Sequence, residues 1–161
     1  MVKEVQKLET AVFAAGCFWG VEESLRKVKG VKNTQVGYAG GLYLNPTYED
    51  VCGGGSGHAE AVEVQYDPSE VSYSELLEVF WSIHDPTTPN RQGPDVGSQY
   101  RSVVFYHNAE QEKLARKSKM DLEHSGKFKN PVVTEITPAS TFWRAEEYHQ
   151  RYVEKGARAV C

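Results

Sequence analysis

The segment Ala14-Ala15-Gly16-Cys17-Phe18-Trp19-Gly20 sets one sulfur between two glycines and against two adjacent aromatic rings. A thiol at the first turn of a helix faces unpaired amide groups and the positive end of the helix dipole, and both favour thiolate. Cysteine is also a small hydrophobe that proteins bury without using it, and that is the ordinary reading of an isolated cysteine. Here the glycines let backbone and ligand come close, and one helix face cannot readily bury both Phe18 and Trp19. Cys17 is therefore a candidate nucleophile, with Phe18 and Trp19 as candidate walls of an apolar pocket.

Glu60 stands out by parity. Between His58 and Tyr66, positions 58, 60, 62, 64 and 66 share one strand face. That face carries Val62, Val64 and Tyr66, so Glu60 points with core residues at the start of the strand. A carboxyl held against an apolar layer is desolvated, which raises its pKa and suits it to act as a general acid near neutrality. A strand-end glutamate that bends back to water, or pairs with an arginine, fits the same parity. Tyr48, Asp95 and Tyr100 lie in or beside loops. Phenols donate hydrogen bonds without carrying charge, which suits an oxygen that must be held and then protonated. Each of these three also reads as structural, Asp95 as an Asx-type turn residue.

The three cysteines, Cys17, Cys52 and Cys161, form no C-x-x-C pair and no zinc framework. From Gly156, an extended tail would carry Cys161 through roughly 17 Å, enough to return a second thiol to the site; Cys52 is the competing partner. The five histidines do not cluster at ligand spacing, so no metal site and no bound cofactor are expected. The runs GYAGG and CGGGSG lack the lysine and element order of a phosphate loop.

These residues need a scaffold. Residues 10–15 read as a central strand covered on both faces. Phe18, Val21, Leu25 and Val28 fall at helical spacing, and Gly30 ends that helix. Residues 31–38 read as a strand, 39–57 as a turn-rich loop, and 59–66 as an alternating strand. Ser72 and Glu75 form a capping box that opens a helix with Leu76, Leu77, Phe80 and Ile83 on its apolar face. Residues 85–99, with three prolines and two glycines, read as one long loop of the kind that usually serves function. A strand at 100–106, a helix from Asn108 to about 125, a strand at 132–137 and a last helix at about 145–155 complete the pattern. Alternating strands and helices predict an α/β (α+β) two-layer sandwich around a mixed sheet.

A length of 161 residues allows one domain, 1–161, with a mobile C-terminal tail from about 156. A net charge of −4 without a basic run argues against nucleic-acid binding. No apolar run approaches a membrane span and no signal-peptide core is visible, which predicts a cytoplasmic protein that does not bind membranes.

Taken together, the motifs resemble the A-type methionine sulfoxide reductases. GCFWG at 16–20 is similar to that family's nucleophile motif. TYEDVC at 47–52, GHAE at 57–60, DPTTPNRQGPDVGSQYRS at 85–102 and AEEYHQRY at 145–152 match further family segments in the family's order. The resemblance implies a ferredoxin-like core and thiol-dependent reduction of the S-epimer of methionine sulfoxide, free or in peptides. It implies Cys17 as nucleophile, Phe18 and Trp19 around the substrate methyl group, Glu60 as acid, Tyr48 and Tyr100 on the sulfoxide oxygen, and Asp95 as an organising carboxylate. It also implies a Cys17 sulfenic acid resolved by Cys161, a disulfide reopened by a dithiol such as thioredoxin, and a monomer. The tail GARAVC departs from the family's GYC form and lacks a further cysteine, so Cys52 stays open as an alternative resolver. Rival chemistries are a cysteine hydrolase, for which no histidine base is signalled, a thiol peroxidase, and a binding module that leaves Cys17 unconsumed.

Overall fold

A computed structural model describes residues 7–156. Its elements are β1 (Glu9–Ala15), α1 (Phe18–Arg26), β2 (Val31–Ala39), α2 (Tyr48–Cys52), β3 (Ala59–Tyr66), α3 (Tyr73–Ser82), β4 (Arg91–Gln92) and β5 (Asp95–Val96). They continue with β6 (Ser102–Tyr106), α4 (Ala109–His124), β7 (Glu135–Pro138) and β8 (Trp143–Arg144), with short 3₁₀ turns at Ser98–Tyr100 and Glu147–His149. The expected tail and Cys161 lie outside the described residues.

Six strands form one sheet in the order β7-β6-β1-β3-β2-β8. β3 lies between β1 and β2 and runs antiparallel to both. The other edge of β1 takes β6, also antiparallel. This β1-α1-β2-β3-α3-β6 arrangement is the split β-α-β pattern of ferredoxin-like folds. The parallel pairing of β6 with β7 makes the sheet mixed.

Strand parity divides the interior. Ala11, Phe13 and Ala15 of β1 and Val62, Val64 and Tyr66 of β3 share a core with α1, α3 and Ala115 of α4. Phe13 stacks on Phe80 of α3, with ring centroids 5.3 Å apart. Each such ring contributes roughly 1.5–3 kcal/mol through burial. On the opposite face Val12, Ala14, Ala59, Ala61, Val103 and Phe105 pack under Ala139 and Phe142. β1 is therefore covered on both sides, as its apolar run requires.

Five local expectations are corrected, one being the strand expected at 100–106, which begins at Ser102 because Tyr100 closes a 3₁₀ turn. The loop expected at 39–57 contains α2, opened by a capping box between Thr47 and Asp50. The long loop at 85–99 is folded into a β4–β5 ribbon followed by a 3₁₀ turn. The strand expected at 132–137 begins at Glu135. The helix expected at 145–155 is replaced by a 3₁₀ turn and irregular turns. In that last segment tertiary hydrogen bonds outweigh propensity: the Gln150 amide receives the Val36 N–H and donates to the Val36 and Ala145 carbonyls, each at 2.9 Å. Arg151 then takes φ +52, which ends any helical continuation.

Candidate active site

Because β1 and β3 are antiparallel, with Phe13 opposite Val62, the end of β1 and the start of β3 meet at one end of these two central strands. There the chain turns through Gly16, whose φ is +99. A Cβ at Gly16 would lie 2.8 Å from Gln92 Cγ, so only glycine allows the β4–β5 ribbon to close against this turn. Cys17 is the N-cap residue of α1, and its carbonyl receives the Val21 N–H at 3.4 Å. Cys17 is half-buried and disulfide-bonded, whereas Cys52 is an exposed free thiol.

The first amide of α1 defines the next contact. Phe18 N–H donates to Glu60 Oε1 at 3.2 Å. Glu60 is 1% exposed, and its Oε2 has no hydrogen-bond partner among the described residues. Parity thus placed Glu60 with the core residues, and no arginine among the described residues pairs with it. Burial pushes its carboxyl up to about 8; the Phe18 amide opposes this and the nearby Asp95 charge adds to it. At neutral pH Glu60 is mainly protonated, with a proton to give.

Six aromatic rings, those of Phe18, Trp19, Tyr38, Tyr48, His149 and Tyr152, pack against one another beside this contact. Phe18 is buried and lies 5.8 Å from the Tyr38 ring, 6.5 Å from Tyr48 and 5.2 Å from His149, centroid to centroid. Trp19 is half-buried, so the two adjacent rings do divide between core and rim. Its indole stacks on Tyr152 at 4.0 Å and donates from Nε1 to His149 Nδ1 at 2.9 Å. Tyr48 is set by α2: its N–H donates to Glu146, whose other carboxylate oxygen receives the Tyr38 hydroxyl. Burial raises the Glu146 carboxyl, but these donors outweigh it and hold the group below its usual value.

Burial, then the nearby Cys52 side chain, pushes the Tyr48 phenol above its usual range. Burial, then the charge at Glu60, pushes Tyr100 up to about 12. Burial also raises Asp95 on the ribbon. Glu60 is thus within electrostatic reach of Tyr48, Asp95 and Tyr100. A cavity of about 370 Å³ opens at Cys17, lined also by Val21, Ser24, Gln92 and Asp95. Among its lining residues Glu60, Tyr48 and Tyr100 do not occur.

Glu146 and His149 belong to this cluster and were not singled out from the sequence. The available signal was the segment AEEYHQRY itself, whose expected helical periodicity obscured the turn that turns both side chains inward.

Residues 9–161 match the family described as peptide methionine sulfoxide reductase. A relative from Methanothermobacter thermautotrophicus, peptide methionine sulfoxide reductase MsrA, is 62% identical over 157 residues, covering 98% of this chain and 93% of its own. The structure is similar to Mxr1 from Saccharomyces cerevisiae in reduced form, with a TM-score of 0.90 at 39% identity, covering 96% of this chain and 89% of that one. Mxr1 in complex with Trx2 is similar with a TM-score of 0.65 at 31% identity, covering 94% and 89% of the two chains.

Proposed function

The chain belongs to the peptide methionine sulfoxide reductase family, and from that premise we propose that Cys17 and Glu60 carry out its thiol-dependent reduction of methionine sulfoxide. The observation that carries this assignment is the buried, half-satisfied Glu60 carboxyl bonded to the amide next to Cys17. A sulfoxide sulfur becomes a good electrophile when its oxygen is protonated. The Cys17 thiolate attacks that sulfur while Glu60 gives its proton to the oxygen. The oxygen passes to Cys17, methionine leaves, and Cys17 becomes a sulfenic acid. Tyr48 and Tyr100 hold the oxygen by donating hydrogen bonds, and Asp95 keeps the Glu60 surroundings negative, which favours the protonated acid. Phe18 and Trp19 receive the methyl group, whose burial contributes on the order of 1 kcal/mol.

Cys161, which lies outside the described residues, condenses with the sulfenic acid and releases water. The free thiol of Cys52 supports Cys161 over Cys52 in this role. A dithiol then reopens the disulfide by exchange, and the similarity to Mxr1 in complex with Trx2 supports thioredoxin as that dithiol. The substrate is the S-epimer, free or in a peptide, and the compartment is the reducing cytoplasm. Among the described residues no helix is long and apolar enough to cross a membrane.

Incubating reduced protein with a peptide carrying either epimer of methionine sulfoxide, without added reductant, tests the cycle. One equivalent of methionine from the S-epimer alone, two thiols lost and a Cys17–Cys161 bridge by mass spectrometry are expected. Consumption of the R-epimer, or a Cys17–Cys52 bridge, would contradict the epimer or the resolver assignment respectively.

A further inference from the structure

The segment 145–151 is the one place where the sequence predicts a helix and the structure builds turns, and such conflicts concentrate where side chains are held for use. It is pinned from both sides. Gln150 ties it to Val36 of β2, and the Arg151 N–H donates to the buried carboxylate of Glu22 on α1 at 2.7 Å. Between these anchors sits His149, 0% exposed. Its ring is enclosed by Tyr48 at 4.4 Å, Tyr148 at 4.0 Å and Phe18 at 5.2 Å, centroid to centroid.

The His149 ring offers Nδ1 to one donor, the Trp19 indole. Accepting there fixes the tautomer, with the proton on Nε2, and requires a neutral ring. Burial lowers the imidazole pKa, against the nearby Glu146 carboxylate, and so keeps the ring neutral. A half-buried indole needs a partner for its N–H, and stacking on Tyr152 fixes the indole plane but not its rotation within that plane. The bond to His149 fixes that rotation. The sheet thus positions Gln150, Gln150 positions the turn, and the turn aims the acceptor that orients Trp19.

We propose that His149 is a positioning residue that sets substrate-methyl recognition by locking the rotation of the Trp19 indole through its Nδ1 lone pair. The proposal rests on Trp19 being a wall of the methyl pocket. His149 does not touch the reacting atoms, so its removal acts on binding and discrimination rather than on the chemical step.

The test compares His149→Phe, His149→Asn and Trp19→Ala, each assayed with methionine sulfoxide and with its S-ethyl homologue. Phenylalanine keeps ring volume without the acceptor; the asparagine carbonyl restores an acceptor near the Nδ1 position. Loss of the hydrogen bond in His149→Phe should raise KM for methionine sulfoxide about three- to tenfold with kcat within about twofold. Its preference for methyl over ethyl should fall by a similar factor, and His149→Asn should recover most of both. Equal effects of Phe and Asn, a fall in kcat alone, or unchanged methyl preference would overturn the proposal. If Trp19→Ala also leaves methyl preference intact, the pocket assignment fails and the proposal with it. If Trp19→Ala loses preference and His149→Phe keeps it, the proposal alone fails. A measurement on the unaltered protein guards against misfolding: a through-bond ¹⁵N–¹⁵N coupling between Trp19 Nε1 and His149 Nδ1 should be present, and its absence would contradict the lock.

Discussion

Two glutamates, Glu22 and Glu60, are each 1% exposed, yet the structure treats them in opposite ways. Glu22 accepts from the Arg151 N–H through one oxygen and from the Thr34 hydroxyl through the other, both at 2.7 Å. Glu60 accepts one amide, and its second oxygen has no hydrogen-bond partner among the described residues. The first carboxylate closes α1 against β2 and the turn before Tyr152. The second is left with a reason to stay protonated and a proton that no group among the described residues takes. Burial alone does not mark chemistry; burial with unfilled hydrogen-bonding capacity does.

Substitutions at the two sites should separate accordingly. Glu60→Gln keeps volume and the oxygen facing Phe18 but removes the acidic proton. It should slow a single turnover by about 10²–10⁴-fold, measured as methionine formed by rapid quench, with little loss of folded protein. Glu22→Ala should do the reverse. Stranding two donors and opening a gap should cost about 2–3 kcal/mol in denaturant unfolding, while single-turnover rate at saturating substrate changes less than about threefold. An equal loss of rate at both positions would break the comparison.

A pH series sharpens it. Glu60 is raised in the folded protein relative to an ordinary carboxyl, so the folded state binds the extra proton. Stability should therefore fall as pH rises from about 4.5 to about 8. Relative to Glu60→Gln, the slope should approach about 1.4 kcal/mol per pH unit for one proton. Parallel stability curves for the two proteins would contradict the raised carboxyl. The smallest effect belongs to Thr34→Val, which removes one of the two donors to Glu22. Unfolding should shift by about 1 kcal/mol with turnover unaltered.

Much of the scaffold was legible. The apolar run of β1, the helical spacing after Phe18 and the alternation through Tyr66 each reflect one element packing one face against the core. Parity alone placed Glu60 among Val62, Val64 and Tyr66. What escaped was set by distant contacts or by very short elements. The β4–β5 ribbon has two residues per strand, too few for any period to register. α2 carried a signal in Thr47 and Asp50, but five residues give no helical repeat. The inward turn of Glu146 and His149 depends on Gln150 bonding to Val36, 114 positions away in sequence, and no local pattern carries that information.

The central claim is that the unfilled Glu60 carboxyl is the acid. The direct measurement is the single-turnover rate of methionine formation between pH 6 and 10 for the reduced protein and for Glu60→Gln. The account predicts an alkaline limb with an apparent pKa near 8 in the unaltered protein. In Glu60→Gln that limb should vanish and the rate should be low throughout. A limb that survives in Glu60→Gln, or a rate within a few-fold of the unaltered protein, would contradict it.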